Sequence, residues 1–379
     1  MVRRSPTSHR SVTGRLLRNI ISRACRAHSP LDREHERSSV CTIFRIMPEK
    51  TFIGRATREI HRGTILLLSL AILSLLSFPS AASGSPSPAP ATGAQVLAAV
   101  TASISRDSLP PNLTPPLVSF INPKKGYLLS GPSFFDVCDP FNNNALIVHP
   151  VPCLFGDLHS KKTIVLVGDS TVGNWAPALA RGLIGTEYRL AVFGFAGCPT
   201  PDIVFTAATN SQFQECNEWH HAVSGAIRAL RPVAVLAVSG PYNIGAMPPA
   251  QWAAGFGKLF AEATAGLPSV KRIILGTSPI FPVPVPACLA AHNDPQTCAI
   301  HFALGNGYYG EYLARDVANA AAAHAKLITT YQWFCSAGTC SPVILKYLAY
   351  ADIDHLTLAY SEYLSRVATG AVLKFTTGR

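Results

Sequence analysis

The sequence has 379 residues, of which 48% are hydrophobic and 14% charged, a composition that excludes an intrinsically disordered chain. The formal net charge of +11 suggests a nucleic-acid-binding protein until the charges are located. Residues 1–63 contain 14 Lys and Arg against 5 Asp and Glu, which leaves 18 against 16 for the rest of the chain. A basic surface on the folded part is therefore not predicted, and nucleic acid is not an expected partner.

The N-terminal part has the pattern of an export signal. The basic stretch 1–63 precedes sixteen uncharged, mostly apolar residues, 64–79, and small residues follow at 80–82. Together these features are typical of a secretory signal peptide. An uncleaved anchor at 64–82 is the alternative, although sixteen apolar residues fall short of the about 20 that span a bilayer. We expect an exported protein, secreted or extracytoplasmic, whose mature chain begins near Ser83.

The basic leader is longer than an ordinary signal-peptide n-region. Met47 opens a more typical one, so residues 1–46 are interpreted as an over-extended gene start or a disordered basic leader. After the signal, residues 83–93 form a Ser/Pro/Ala-rich linker. Residues 94–160 are rich in Pro and Asn and are predicted to be an irregular N-terminal extension, and residues 161–379 form the main domain.

The cysteines agree with export, because disulfides persist in oxidising compartments. Of the ten, Cys25 and Cys41 lie in the leader. The other eight fall into four consecutive pairs, and nearest-neighbour pairing is predicted. These pairs are Cys138 with Cys153, Cys198 with Cys216, Cys288 with Cys298, and Cys335 with Cys340. A metal site is the alternative, but no CxxC or spaced histidine pair accompanies the cysteines, so neither a metal nor another cofactor is expected.

From about residue 163 onward, strand and helix patterns alternate. Near-continuous runs of Val, Ile and Leu predict parallel strands buried on both faces at 163–167, 188–193, 233–238, 272–276 and 325–329. Helices are predicted at 174–184, 216–230, 249–266, 308–323 and 358–372. This alternation predicts an α/β fold, a three-layer α/β/α doubly wound sheet of about five parallel strands. In such sheets the ligand site lies beyond the carboxyl ends of the strands.

Two short segments carry residues suited to nucleophilic catalysis. Gly168-Asp169-Ser170 follows the first predicted strand and leads into a helix, a position at which a serine hydroxyl is exposed. Asp352 and His355 precede the last predicted helix, and a serine nucleophile needs a base and a carboxylate that orients it. Each segment also has a purely structural interpretation, as an ordinary turn and as a solvated acidic loop before a helix cap.

Taken together, these segments resemble the SGNH (GDSL-type) hydrolase family, and more closely the SGNH domains attached to membrane acyltransferases of the acyltransferase-3 type. The resemblance spans about residues 162–374. Residues 164–174 (IVLVGDSTVGN) match the nucleophile block, residues 197–199 (GCP) the second block, and residues 352–356 (DIDHL) the C-terminal DxxHL block. Residues 216–239 resemble the helix and third strand of the fused domains. The implied fold is flavodoxin-like.

The resemblance implies roles for the residues of these blocks. Ser170 is the nucleophile, His355 the general base and Asp352 the carboxylate that orients it. Asp354 is then a bystander, or the substitute for Asp352 if the register differs by two residues. No metal takes part.

The implied oxyanion hole is formed by the backbone N–H groups of Ser170 and Gly197, with Asn243 as a further donor. The third block departs from the family's GxN pattern, because Asn243 follows Gly240 by three residues instead of two. With this spacing Asn243 reaches the oxyanion if the loop bulges, and otherwise Tyr242 lines the pocket instead.

Other polar and aromatic residues have weaker functional interpretations. Trp175, Tyr242 and Trp333 lie near predicted strand ends and could shape an acyl or sugar pocket, but packing in the core is the favoured role. His220 and His221 are adjacent on a predicted helix and point apart, so packing or surface roles are favoured over metal binding.

Three functions are compatible with these residues. The first is an esterase that removes acyl groups, with acetyl expected, from a carbohydrate or small ester. The second is an O-acyltransferase that receives the acyl group from a membrane acyltransferase partner and passes it to an envelope carbohydrate. The third is a catalytically silent binding module. The serine, carboxylate, histidine and glycine disfavour the third, whereas the resemblance to fused domains favours the second and a stand-alone architecture favours the first.

Overall fold

The structure is a computed structural model that describes residues 90–121, 145–204, 211–240, 248–302 and 308–378. The predicted leader and signal segment, together with most of the linker, lie outside these ranges. The helices are α1 (Gly93–Ser103), α2 (Val118–Ile121), α3 (Ala145–Val148), α4 (Val172–Gly182), α5 (Ser211–Ala229), α6 (Pro249–Ala263), α7 (Val285–His292), α8 (Tyr308–Ala322), α9 (Leu358–Tyr363) and α10 (Ser365–Thr377). No helix in the described ranges is long and apolar enough to cross a bilayer.

The strands form one large sheet and two small ones. They are β1 (Cys153–Gly156), β2 (Lys162–Gly168), β3 (Tyr188–Gly194), β4 (Ala234–Val238), β5 (Lys271–Leu275), β6 (Ile300–His301), β7 (Lys326–Ile328), β8 (Cys335–Ser336), β9 (Thr339–Cys340), β10 (Val343–Ile344) and β11 (Tyr347–Leu348). The order in the large sheet is β1-β3-β2-β4-β5-β7. In this order β3, β2, β4, β5 and β7 run parallel. The predicted doubly wound α/β sheet is thus confirmed.

Alternate residues of the central strand β2 face two separate apolar cores. Ile164 and Leu166 pack with residues from α4, α9 and α10, while Val165 and Val167 pack with residues from α5, α6 and α8. All four side chains are fully buried. Burial on both faces is why the strand is a continuous apolar run with no polar alternation, and it places helices on both sides of the sheet.

The strand order reverses around β2, because β3 lies on one side of β2 and β4 on the other. Chain connections leave the carboxyl ends of β2 and β3 toward opposite faces, which opens a crevice at that edge of the sheet. The turn with Ser170, the loop with Gly197 and the end of β4 at Gly240 therefore meet at one place.

The region 94–160, predicted to be irregular, contains regular elements in its described part. Helix α1 begins after Thr92, whose side chain accepts a hydrogen bond from the Gln95 N–H while the Gln95 side chain caps Thr92 in return. This capping box is visible in the sequence as Thr92-x-x-Gln95, and it was the available signal for the start of the helix. Strand β1 was also missed, and it pairs antiparallel with β3 at the edge of the sheet.

The single helix predicted at 358–372 is two helices. Helix α9 begins at the cap Thr357, whose hydroxyl accepts the Tyr360 N–H, and it ends at Leu364. The Leu364 N–H is shared among the carbonyl groups of the preceding turn, including that of Tyr360, and this tighter turn separates α9 from α10. Periodicity alone does not reveal such a break.

Three predicted disulfides are confirmed. Cys198 is bonded to Cys216, Cys288 to Cys298, and Cys335 to Cys340. Cys153 is also disulfide-bonded, while its predicted partner Cys138 lies outside the described residues.

Candidate active site

The turn after β2 is held in place by the buried carboxylate of Asp169. Its Oδ1 accepts the Thr171 N–H at 2.8 Å and the Thr171 hydroxyl at 2.6 Å, and its Oδ2 accepts the Gly240 N–H at 2.6 Å and the Ser239 hydroxyl at 3.0 Å. Burial raises the pKa of Asp169, although these hydrogen bonds oppose the shift. The carboxylate thereby fixes the turn that carries Ser170 to the end of β4.

The ends of β2 and β4 approach so closely that a side chain at position 168 would collide with the Val238 carbonyl group, which explains why this position is Gly168. Thr200, in the loop after β3, joins the same network. Its hydroxyl accepts the Asp169 N–H and donates to the Val238 carbonyl oxygen. Three strand ends are therefore linked directly around the serine turn.

Ser170, His355 and Asp352 form a continuous hydrogen-bonded chain. The Ser170 Oγ lies 2.8 Å from His355 Nε2, and His355 Nδ1 lies 2.7 Å from Asp352 Oδ2. With Nδ1–H donating to the carboxylate, Nε2 is free to accept the serine proton. The structure therefore brings together the three residues that the sequence predicted, and their arrangement suits nucleophilic catalysis.

Asp352 also shapes the loop that carries the histidine. Its Oδ1 accepts the backbone N–H groups of Asp354 and His355, at 3.0 and 2.8 Å. The loop is closed by the Ala351 N–H, which donates to the His355 carbonyl oxygen, and by a bridge between Tyr350 and Leu356. This hairpin-like loop fixes the direction of the imidazole.

The charges in this loop favour an imidazolium. Burial lowers the pKa of His355, but the hydrogen bond and charge of Asp352, with the charges of Asp354 and Asp169, outweigh it, so the net shift is upward. Burial acts to raise the pKa of Asp352, but its hydrogen bonds and proximity to His355 lower it overall. Burial raises the pKa of Asp354 to about 6.

Asn174, a residue of α4 that the sequence did not single out, attaches the histidine loop to the nucleophile helix. Its Nδ2 donates to the Asp354 carbonyl oxygen at 3.0 Å, and its Oδ1 accepts the Leu356 N–H at 2.8 Å. These two bonds bracket His355. Asn174 lies inside the nucleophile block of the sequence, and its position one helical turn after Ser170 was the available signal.

A second unpredicted contact involves Ser361 of α9. Pro177 interrupts the hydrogen-bonding pattern of α4, because proline has no N–H and its ring crowds the preceding turn. The Ser361 hydroxyl donates to the Asn174 carbonyl oxygen at 2.7 Å and accepts the Ala178 N–H at 3.1 Å. In an uninterrupted helix these two backbone groups bond to each other, so Ser361 completes α4 from outside.

The loop with Gly197 is fixed by contacts of the two residues that follow it, Cys198 and Pro199. Cys198 is bonded to Cys216 of α5, and the His220 Nε2, one helical turn further on, lies 2.8 Å from the Pro199 carbonyl oxygen. Burial lowers the pKa of His220, and a neutral imidazole donates this hydrogen bond. His220 is thus a packing residue, as favoured from the sequence. Gly197 has a φ of 76°, a conformation that favours glycine.

The predicted oxyanion donors are partly described. Within the part of the chain that the structure describes, no hydrogen bond engages the N–H of Ser170 or Gly197. Unengaged donors of this kind are what a developing oxyanion requires. Asn243, the third predicted donor, lies outside the described residues, as does Tyr242.

The two described tryptophans near the site are core residues. Trp175 is fully buried and packs edge-on against Trp333 at 5.5 Å and Phe334 at 6.2 Å between ring centroids. Trp333 is 4% exposed. Both side chains are packed in the core, the role favoured from the sequence.

Among the residues that the structure describes, two groups of side chains place possible metal-ligand atoms within 4.8 Å of one another. One contains Cys198, Cys216 and His220, but its cysteines form a disulfide and cannot act as thiolate ligands. The other contains Asp352, Asp354 and His355, whose Nδ1 already faces carboxylate oxygens.

The comparisons with known proteins concern this same region. The family model described as SGNH domain (fused to AT3 domains) matches residues 138–369. No curated protein matches the sequence. Among solved structures, the periplasmic domain of a Salmonella ser. Paratyphi A lipopolysaccharide acetyltransferase is 16% identical, with a TM-score of 0.47 over 57% of this chain and 85% of that chain.

Two esterase structures are similarly distant. Est24, a carbohydrate acetylesterase from Sinorhizobium meliloti, is 15% identical, with a TM-score of 0.37 over 56% of this chain and 98% of that chain. A family two carbohydrate esterase from Cellvibrio japonicus is 11% identical, with a TM-score of 0.33 over 57% of this chain and 62% of that chain. Because the family model covers more than half of the sequence, the chain belongs to the SGNH domain family whose members are fused to AT3 domains, and it is a serine esterase or acyltransferase.

Proposed function

We propose that the protein is an extracytoplasmic serine O-acyltransferase that transfers an acyl group, acetyl in the simplest case, to a hydroxyl group of an envelope carbohydrate. A membrane acyltransferase would supply the acyl group. The observation that carries the proposal is the hydrogen-bonded chain from Ser170 through His355 to Asp352, at 2.8 and 2.7 Å. The membrane partner is supported by the family, whose SGNH domains are fused to AT3 domains, and the carbohydrate acceptor is part of this proposal.

In the first half of the reaction, the Ser170 Oγ attacks the carbonyl carbon of the acyl donor while its proton passes to His355 Nε2. The N–H groups of Ser170 and Gly197 stabilise the negative charge that forms on the carbonyl oxygen, and such donors contribute about 3–4 kcal/mol each. Collapse of the tetrahedral intermediate expels the donor's alkoxide, which takes the proton from His355. An acyl-serine remains, with Asp352 keeping the imidazole in the correct tautomer.

In the second half, a hydroxyl group attacks the acyl-serine, and His355 accepts its proton before returning it to Ser170. The chemistry is the same for water and for a sugar hydroxyl, so the acceptor is selected by binding that holds its hydroxyl in attack geometry. The segment after β5 supports such a binding surface. The Phe281 N–H donates to the Ile353 carbonyl oxygen at 2.8 Å and the Val285 N–H to that of Asp352 at 3.2 Å.

Between these two anchors the segment projects into solvent, and Val283 is 49% exposed. A segment that projects beside the histidine loop forms one side of an open groove. An open groove accommodates a polymer that lies across the site, whereas an enclosed pocket does not. This segment and the neighbouring Cys288–Cys298 loop are therefore the proposed wall of an acceptor groove.

The nucleophile is tested with a fluorophosphonate probe and with p-nitrophenyl acetate. Wild-type protein should be labelled and should hydrolyse the ester, and Ser170→Ala and His355→Ala should lower turnover by about 10⁴-fold or more. Ser108→Ala is the matched control, because Ser108 is an exposed serine far from Ser170 in the sequence. Equal labelling of wild type and Ser170→Ala would remove Ser170 from this role.

Hydrolysis of the acyl-serine by water is the second candidate reaction, because the same unengaged donors and base serve either acceptor. The two are separated by supplying an acyl donor with and without envelope polysaccharide and measuring ester bonds on the polymer. Acyl transfer to the polymer supports the transferase. Rapid deacylation of acylated polysaccharide, with no transfer from any donor, would establish an esterase instead.

A further inference from the structure

The imidazole of His355 faces two carboxylates and not one. Its Nδ1 lies 2.7 Å from Asp352 Oδ2 and 3.2 Å from Asp354 Oδ1. A carboxylate oxygen of Asp352, one of Asp354 and a ring nitrogen of His355 all lie within 4.8 Å of one another. In the DxxH block Asp354 occupies one of the unspecified positions, so neither the family pattern nor the proposed mechanism assigns it a task.

Both carboxylates lie close enough to Nδ1 to stabilise a charged imidazole. Asp352 accepts the hydrogen bond from Nδ1–H, whereas Asp354, at 3.2 Å from Nδ1, acts on the imidazole through its charge. When His355 accepts the serine proton, it becomes a cation beside two anions. An opposite charge at this range stabilises the charged form of a titrating group.

The groups around Asp354 decide its own charge. His355 and Asp352 face it from the same loop, Asp169 from the turn after β2, and Tyr350 from the start of the loop. Burial raises the pKa of Asp354 to about 6, and the negative charges of Asp352 and Asp169 act in the same direction, whereas His355 opposes them. Asp354 is consequently ionised at neutral pH and loses its charge in mildly acidic solution.

Within the proposed reaction, we propose that Asp354 is a second positioning carboxylate for His355, whose charge stabilises the imidazolium beside Asp352 and whose Oδ1 accepts the Nδ1–H in place of Asp352 when Asp352 is neutralised. Its main-chain carbonyl group has a separate structural task, since it accepts hydrogen bonds from Asn174 Nδ2 and, at 3.5 Å, from the Ser278 hydroxyl. An Asp354→Asn substitution leaves that carbonyl group intact. It therefore isolates the effect of the carboxylate charge.

The test is a double-mutant cycle made in the full chain, with Asp352→Asn, Asp354→Asn and the double variant. Asp107→Asn is the control, because it removes one exposed negative charge elsewhere. Two quantities are measured as a function of pH. One is kcat/KM for p-nitrophenyl acetate. The other is the protonation of His355, followed by the nitrogen NMR signals of its imidazole and assigned with His355→Gln.

Asp354→Asn should shift both the acid limb of kcat/KM and the titration of His355 to lower pH by about one unit, with plateau activity within about threefold of wild type. Asp352→Asn should keep at least about tenfold more activity than the double variant. The double variant should fall by about 10⁴-fold, the loss typical of a catalytic histidine without an orienting carboxylate. Asp107→Asn should match wild type.

The proposal is overturned if Asp354→Asn titrates like wild type, or if Asp352→Asn is as inactive as the double variant. The imidazole titration needs no substrate, so it tests Asp354 independently of the reaction. A wild-type protein without esterase or transfer activity would count against the proposed function, whereas the titration would still decide the role of Asp354.

Discussion

Replacing Asn174 with alanine tests how the histidine loop is attached to the nucleophile helix. The side chain is fully buried, donates to the Asp354 carbonyl oxygen and accepts the Leu356 N–H. Alanine removes both hydrogen bonds and leaves the buried Leu356 N–H without an acceptor. A buried donor without a partner costs about 1–3 kcal/mol, and a lost hydrogen bond about 1 kcal/mol more. We expect the free energy of unfolding to fall by about 2–4 kcal/mol.

The same substitution should affect activity beyond its effect on folding. His355 lies between the two bonded backbone groups, and a displacement of about 1 Å at a catalytic group lowers turnover by about 10²-fold. The assays are urea unfolding and p-nitrophenyl acetate hydrolysis at a urea concentration where the variant is fully folded. Asn112→Ala, at an exposed asparagine, is the control. If Asn174→Ala unfolds and turns over like wild type, the loop is held by other contacts and the reasoning is wrong.

Three further predictions concern pH, the hairpin disulfide and export. The pKa of His355 is raised above its ordinary value of 6.5, and His355 must be neutral to act as the base. We therefore expect kcat/KM to be highest at higher pH and to fall as the pH drops through the raised pKa. An acid limb centred below pH 6.5 would contradict this account. The Cys335–Cys340 disulfide closes a short loop, so replacing both cysteines with alanine should lower the free energy of unfolding by less than the ~3 kcal/mol expected for a fifteen-residue loop. The main effect should be a loss of activity, with a small change in melting temperature. Ester hydrolysis and calorimetry measure the two effects. Translation from Met47 should suffice for export, and N-terminal sequencing of secreted protein should begin near Ser83; an intact apolar segment in membranes would show an anchor instead.

The parts of the fold that the sequence predicted are those with a strong local signal. Residues 164–167 of strand β2 are all apolar because both faces of the strand are buried there, so its existence and parallel neighbours followed directly. Strand β1 has only four residues, too few for its apolar residues to stand out as a strand in the sequence. The division at Leu364 depends on how one N–H is shared within a turn, which no hydrophobic period records.

The candidate site divides in the same way. The nucleophile and the loop with Asp352 and His355 are short motifs, and their residues were predicted before the structure brought them together. Their supports were not predictable, because each joins distant parts of the chain. Asp169 reaches Gly240 at the end of β4, and Ser361 reaches α4 across nearly two hundred residues of sequence. Such contacts follow from topology and not from spacing.

The hydroxyl of Ser361 within α4 has a consequence for the order in which the enzyme is assembled. Synthesis releases the N-terminal end of a chain first, so the nucleophile helix leaves the ribosome well before α9. Until α9 docks, the carbonyl group of Asn174 and the N–H of Ala178 lack the hydroxyl that joins them beside Pro177. The helix that presents Ser170 is therefore completed by one of the last segments to arrive. A chain that has been synthesised only as far as α8 therefore carries Ser170 on a helix whose hydrogen bonds beside Pro177 are incomplete, so the support of the nucleophile is finished only when α9 is present.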